Sequence, residues 1–593
     1  MESVAGERPQ YCDIVMKGGI TSGVVYPLAA VELRKRNYEF RNVGGTSAGA
    51  IAAAAVAAAE HGRRSQLAQG DPYQQLADLP EELGKGLTSL FQPSPRMRPL
   101  FELLLIWIGE GRAPGKIARS LLPFRDAALA GALPGLALLV VSLLVPGGGF
   151  LHLIAALLAL LAAALGAVVA AGLSAASRVR SMPDNHFGLC LGNDRDGDAA
   201  TPPLTRWLSA LIDELAGKED GEPLTFGDLW RLDGRPEERG VNLQMVTSNL
   251  SQRRPYSLPF EAGEEFWFDP EELLDFFPRE VVDHMVHNSP SETTGAAGRT
   301  LRALPPSEQL PVVFATRLSL SFPGLICAVP LYAVNHAPEA NSEAPERCWF
   351  SDGGITSNFP VHFFDSPVPR WPTFAIDLME TEQVLKDKEG DNIWLPKTNE
   401  EGLAEAWLGW EGKSDWKRLA AFGEGIFRTA QNWIDNRQMT GAGFRDRIAH
   451  VLMVKGEGGM NLEMDKDKIE RLAERGGAAA AALAERFRHD PPAGAELTWD
   501  NQKWIRYRAY MELLERHGRL ARRGFLDAGL GTPLREMRSA PPSYPWGSPQ
   551  QGRFSNPEVD RLLAEFEAWE QAAPLFAGDA PPPRTEPWSI PRV

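Results

Sequence analysis

A chain of 593 residues, 44% hydrophobic and 23% charged, is long enough for more than one domain and a large buried core. Its net charge of −16, with no basic stripe interleaved with aromatics, excludes a nucleic-acid binder. Four widely spaced cysteines (Cys12, Cys190, Cys327, Cys348) without a CxxC pair suit a reducing compartment, and with the ten histidines they form no zinc-ligand cluster, so no metal or other cofactor is expected.

Met1 to Gln10 is polar and charged, without the apolar stretch of a secretory signal. Tyr11 to Met16 reads as a short apolar strand. It runs into Lys17-Gly18-Gly19-Ile20-Thr21-Ser22-Gly23 and then an apolar helix pattern, Val24 to Leu33. Strand, glycine-rich turn and helix together present backbone N–H groups to an anion. Three readings fit: an ordinary βα turn, a phosphate cradle that lacks the Walker Lys-Ser/Thr ending, and an oxyanion hole built from Gly18, Gly19 and Ile20.

The next unit favours the oxyanion hole. A strand candidate, Tyr38 to Val43, precedes Gly45-Thr46-Ser47-Ala48-Gly49, and an alanine-rich helix, Ala50 to Glu60, follows. G-x-S-x-G between a strand and a helix is the context of a nucleophile elbow. Gly45 and Gly49 allow the sharp turn, and the new helix aims its free N–H groups at the reaction centre.

Gln66 to Arg98 reads as surface helix and loop, and Pro99 to Ile108 as a short apolar helix, in the core or at an interface. The composition then changes. Ala127 to Val145 and Phe150 to Leu173 are apolar runs of about 19 and 24 residues, enough to cross a hydrocarbon layer of about 30 Å. Pro146-Gly147-Gly148-Gly149 separates them, and no Asp, Glu, Lys or Arg lies between Asp126 and Arg178. Arg112, Lys116, Arg119 and Arg125 flank the first run and Arg178 and Arg180 the second. By the positive-inside rule both outer ends are cytoplasmic. The segment reads as a membrane hairpin, with a re-entrant variant if Pro134 kinks the first helix; a pair of buried core helices is the alternative.

Beyond Met182, Asp184 to Cys190 reads as loop, and Pro203 to Ala216 and Phe226 to Leu232 as helices. Asn242 to Ser248 is a strand and Asn249 to Phe260 an extended segment. Glu264 to Phe277 is an aromatic stretch suited to the core. Pro311 to Thr316 reads as a strand leading into Arg317-Leu-Ser-Leu-Ser-Phe-Pro-Gly324. Cys348 to Phe350 opens another that ends in Ser351-Asp352-Gly353-Gly354-Ile355. Pro372 to Leu378 and His450 to Val454 are further strands; Asp467 to Phe487 and Trp504 to Arg519 are helices. From Ser539 the chain is proline-rich, with a helix at Pro557 to Gln571, and reads as a loosely attached tail.

Gly18 to Gly23, the elbow at Ser47, and Asp352-Gly353-Gly354, in that order, resemble the patatin-like phospholipases. Asp352-Gly-Gly-Ile-Thr-Ser-Asn-Phe-Pro360 and Arg317 to Gly324 are similar to the family's late motif and the segment before it. The resemblance implies an α/β fold, a three-layer α/β/α sandwich around a mostly parallel sheet. It also implies a Ser47–Asp352 dyad without histidine, in which Ser47 is the nucleophile and Asp352 the base. Two positions depart from the family's glycine loop: Ile20 replaces its third glycine and Ser22 its basic residue, with Lys17 available to supply the charge. The hairpin, 127–173, is then an insertion between two parts of the catalytic domain, 11–126 and 174–538, followed by the tail, 539–593. The expected substrate is a phospholipid or lysophospholipid at a bilayer, with the catalytic domain on the cytoplasmic side. Two rivals remain: a Ser-His-Asp esterase using His362 or His450, and an inactive membrane-anchored scaffold.

Overall fold

The segment Cys12 to Met16 is buried at every position, Asp13 included, as expected of a strand covered on both faces. It forms β1 (Gln10–Met16), inside a sheet that has 12 strands among the described residues. The computed structural model describes residues 9–109, 113–144, 149–195, 201–219, 221–232, 239–261, 263–337, 344–380, 392–401, 414–454, 456–459, 461–526 and 534–537, and 543–578 in part. The other strands are β2 (Tyr38–Gly45), β3 (Asn242–Asn249), β4 (Arg254–Leu258), β5 (Trp267–Phe268), β6 (Glu292–Thr294), β7 (Thr300–Ala303), β8 (Val329–Ala333), β9 (Glu346–Asp352), β10 (Thr373–Glu380), β11 (Ile393–Trp394) and β12 (Ile448–Met453).

Their order is β11-β12-β10-β1-β2-β3-β9-β8-β5-β7-β6, with β4 beside β3. The central run β12-β10-β1-β2-β3 is parallel, and the strands from β9 outward are antiparallel. Met16 pairs with Gly45, so β1 and β2 end level and the loops that leave them lie side by side. Thr247 pairs with Asp352, which brings the end of β9 to the same edge.

The helices used below are α1 (Tyr26–Lys35), α2 (Ala48–Ser65), α3 (Pro72–Gly84), α4 (Arg98–Ile108), α5 (Arg125–Leu144), α6 (Phe150–Arg180), α7 (Leu204–Ala216), α8 (Val312–Ser319), α9 (Asp415–Met439), α10 (Lys466–Arg486), α11 (Trp499–Leu526) and α12 (Pro549–Gln571). Alternate strand residues divide between two cores, which makes the fold three-layered. Ile14, Met16, Phe374 and Ile376 join a large core with α1, α2, α7 and α10. Val15 and Ala375 join a smaller one with Phe359, Val361, Phe444 and Ile448. Alanine is the best helix former and the smallest side chain that is not glycine. The run Ala52 to Ala59 in α2 is therefore buried throughout, and lets the helix lie close on the sheet.

α5 and α6 form a helical hairpin with mean hydropathies of 2.3 and 2.8, and 11% of the apolar window of each is buried. They touch through small residues. A Cβ on Gly131 would lie 2.2 Å from the Gly166 carbonyl, and one on Gly135 2.2 Å from the Ala163 amide. Gly131 and Gly135 are one turn apart, the spacing that lets two helix backbones approach closely. The large side chains, such as Leu133, Leu144, Leu151 and Leu161, face outward and are exposed. α5 continues through Pro134.

Three stretches differ from their sequence reading. Val312 to Ser319 is a helix, not a strand. All eight residues are buried, so the segment shows no helical polar stripe, and Pro311 sits at its N-cap. α4 is half-buried: Phe101 is enclosed while Trp107 is 50% exposed, so it is neither a full core helix nor wholly superficial. Within the proline-rich region, α12 docks on α11, with Phe566 against Gly518 and the Trp569 carbonyl accepting from Arg519 Nη2 at 3.1 Å.

Candidate active site

β2 ends in Gly44-Gly45 and the chain reverses into α2 through Ser47, which holds φ 56° and ψ −130°. A non-glycine residue pays for such a backbone only where its surroundings fix it. They do here. A Cβ on Gly45 would lie 2.3 Å from the Gly49 carbonyl, and one on Gly49 2.4 Å from the Met16 carbonyl. Both motif glycines are thus set by close backbone packing. Ser47 N–H donates to Ser319 Oγ at 3.2 Å.

The Ser47 hydroxyl donates to Asp352 Oδ2 at 2.7 Å. The other carboxylate oxygen accepts the Gly354 N–H at 2.6 Å. Both side chains are buried. Burial pushes the Asp352 carboxyl up to about 6, against the pull of its Ser47 and Gly354 bonds. Asp352 arrives here at the end of β9. Its N–H donates to the Ser321 carbonyl at 3.0 Å, and its carbonyl accepts from Ser248 Oγ at 2.9 Å. A Cβ on Gly353 would lie 2.1 Å from the Val246 carbonyl, so β3 sits directly against the motif. Arg317, fully buried, anchors the preceding segment through Ser321 Oγ at 2.6 Å and the Leu191 and Cys327 carbonyls, each at 2.9 Å.

Of the three expected oxyanion donors, one is occupied. Gly18 N–H donates to the Asn358 carbonyl at 2.9 Å. Among the described residues the amides of Gly19 and Ile20 make no hydrogen bond. The Thr21 N–H and hydroxyl both donate to the Gly459 carbonyl, each at 3.2 Å. Lys17 does not take the place of the missing loop cation. Its ammonium pairs with Asp377 Oδ1 at 2.6 Å, and His450 Nδ1 lies 2.9 Å from the other oxygen of Asp377. Burial opposes ionisation of Asp377, but Lys17 and His450 outweigh it and hold the carboxyl well below its usual range. Among the described residues no histidine takes part in the hydrogen bonds of Ser47 or Asp352; His362 packs on Phe363 instead.

A narrow apolar cavity, with a free volume of about 70 Å³, starts beside the elbow. Ala48, Ile51, Ala52, Ala55 and Val56 form its wall along α2, and Ile20 and Leu320 lie at the elbow end. Ile20 is therefore a wall residue of the cavity, which gives its side chain a use that a glycine could not fill. The second apolar cluster joins Leu90, Phe91 and Ile326 of that cavity to Phe101 of α4 and to Met182, just past α6, so the cavity and the hairpin root share one apolar zone.

The family model for patatin-like phospholipases matches residues 14–132, which hold the glycine loop and the elbow. A protein of Rhizobium meliloti (strain 1021) described as an RpoH suppressor is 37% identical, over 97% of this chain and 98% of its own length. The chain belongs to the patatin-like phospholipase family. It is an ester hydrolase of that family, whose domain implies action on lipid acyl groups. The crystal structure of VipD from Legionella pneumophila aligns at a TM-score of 0.30 and 12% identity, over 95% of this chain and 86% of that one.

The structure brings Gly18, Gly19, Ile20, Gly45, Ser47, Gly49, Asp352, Gly353 and Gly354 to one edge of the sheet. Sequence reasoning assigned no role to Ser319, Asn358, Asp435 or Gly459, which hold those segments in place. Asn358 lay inside a motif already singled out. Ser319 likewise lay in the segment Arg317 to Gly324; Asp435 and Gly459 carry no local signal, because their partners are far away in the chain.

Proposed function

We propose that the protein is a membrane-associated lipid acyl hydrolase of phospholipase A or lysophospholipase type, working through a Ser47–Asp352 dyad. The observation that carries this reading is the 2.7 Å hydrogen bond from Ser47 Oγ to the buried carboxylate of Asp352. A serine hydroxyl needs an adjacent base, and a carboxylate raised to about 6 is ionised at neutral pH yet more basic than an ordinary aspartate.

As Ser47 Oγ attacks the ester carbonyl, its proton passes to Asp352. The carbonyl oxygen becomes an oxyanion within reach of the Gly19 and Ile20 amides, at the N-terminal end of the following helix. The tetrahedral intermediate collapses, the C–O bond to the alcohol breaks, and Asp352 returns the proton to the leaving oxygen. Water then attacks the acyl-enzyme, giving its proton to Asp352; as the free fatty acid leaves, that proton restores the Ser47 hydroxyl. The apolar cavity beside Ala48 takes the acyl chain.

The hairpin α5–α6 supports placement at a bilayer. Its outward face is apolar, basic residues flank its root, and that root is continuous with the acyl cavity. The root and the catalytic domain then lie on the cytoplasmic side. The test is fatty-acid release from phosphatidylcholine vesicles, and from lysophosphatidylcholine, by wild type and Ser47→Ala. Release by the wild type that vanishes in Ser47→Ala supports the reading; equal release by both overturns it.

A further inference from the structure

Asn358 is the junction of the three motifs. Its carbonyl accepts the Gly18 N–H at 2.9 Å and the Thr46 hydroxyl at 3.0 Å, and its side-chain amide donates to the Gly18 carbonyl at 3.4 Å. One peptide plane beyond Asp352-Gly-Gly thus ties the glycine loop to the elbow. What holds that plane comes from the C-terminal third. Asp435 on α9 accepts the Asn358 and Phe359 N–H groups on Oδ2, both at 2.9 Å, and the Ser357 hydroxyl on Oδ1 at 3.1 Å. One turn earlier Gln431 Nε2 donates to the Gly354 carbonyl at 2.6 Å. α9 therefore grips the segment 354–359 at both ends.

From this geometry we infer that Asp435 is a positioning residue, whose ionised carboxylate fixes Asn358 and through it the spacing between the glycine loop and Ser47. The inference rests on the Ser47–Asp352 reading. A buried carboxylate is an expensive way to hold a helix against a loop, since a well-packed apolar contact does that without desolvating a charge. What an anion adds is a fixed acceptor for adjacent backbone donors, and displacing a site by about 1 Å costs up to about 100-fold in rate. Asp435 is buried, and burial pushes its carboxyl up to about 6. The charged group facing it from the sheet is Lys17, already paired with Asp377; the segment 357–359 and Gln431 bring no charge.

The test compares wild type, Asp435→Asn, Asp435→Glu and Ser47→Ala as full chains in detergent micelles. It records kcat and KM for a 4-nitrophenyl ester from pH 5 to 8, labelling of Ser47 by a fluorophosphonate, and the melting temperature. Asp435→Asn is expected to keep KM within about two-fold while kcat and the labelling rate fall together by about 10–100-fold. Two carboxylates must be ionised in the wild type, so log(kcat/KM) falls below pH 6 with a slope approaching two. Asp435→Asn reduces that slope to one, and Asp435→Glu restores it. An Asp435→Asn protein with wild-type kcat and slope overturns the inference while leaving the dyad standing. So does one whose activity is lost only in proportion to its unfolded fraction. A wild type that Ser47→Ala matches in turnover and labelling overturns both.

Discussion

Ser47 Oγ and Asp352 Oδ2 are 2.7 Å apart across 305 residues of chain, and the remaining oxygen of Asp352 is held by Gly354 N–H. The carboxylate is therefore oriented by the last glycine of its own motif. Replacing either member removes the proton transfer. Ser47→Ala and Asp352→Asn are each expected to lower kcat by at least about 1,000-fold with the fold retained. Ester turnover and circular dichroism on the same samples check this, and an Asp352→Asn enzyme within ten-fold of wild type contradicts it.

The raised pKa of Asp352 links activity to stability in opposite directions. Its folded value of about 6 lies above the unfolded 3.8, so the native state binds the proton more tightly. The contribution to stability is thus present below about pH 4 and is lost as pH rises through 6. Activity needs the ionised form and rises over the same window. About two units correspond to about 3 kcal/mol. Asp352→Asn is expected to melt higher than wild type at pH 8, with the gap closing towards pH 4. Parallel thermal melts across that range decide; a gap that widens on acidification contradicts the assignment.

The acyl cavity predicts a chain-length effect. Ala52 lies four residues beyond Ala48, about 6 Å along α2, on the cavity wall. Ala52→Leu places a branched side chain across the path of the acyl chain. Turnover of long-chain esters is expected to fall by about ten-fold or more while that of a butyrate ester changes less than two-fold. A uniform loss across chain lengths contradicts the placement of the chain.

The hairpin gives a separable prediction. Deleting 127–173 is expected to move the protein from the carbonate-washed membrane pellet to the supernatant. Gly131→Leu, which puts a side chain where 2.2 Å is available, is expected to loosen the helix pair and raise protease cleavage within it. A deletion variant still recovered in the washed pellet contradicts the membrane role.

Much of this arrangement is legible in the chain because it is local. The buried parallel strands show as a short apolar run at Tyr11 to Met16 and as an alternating run at Tyr38 to Val43. The glycines at 45 and 49 mark a turn whose backbone no other residue fits. The hairpin is announced by an unbroken absence of charge. Val312 to Ser319 was not legible, because a fully buried helix shows the same continuous apolar run as a buried strand. Lys17 reads as a spare cation until Asp377, 360 residues away, is seen to hold it. Asp435 and Gly459 bond to Asn358 and Thr21 across 77 and 438 residues, and nothing in their immediate neighbours foretells those partners.

The most direct test of the central claim is the mass of the peptide bearing Ser47 after rapid quenching of the enzyme with lysophosphatidylcholine. The dyad mechanism predicts a transient acyl adduct on that peptide, absent from Ser47→Ala and depleted in Asp352→Asn. Fatty acid released at the wild-type rate with no adduct on Ser47, or with the adduct on another residue, would contradict it.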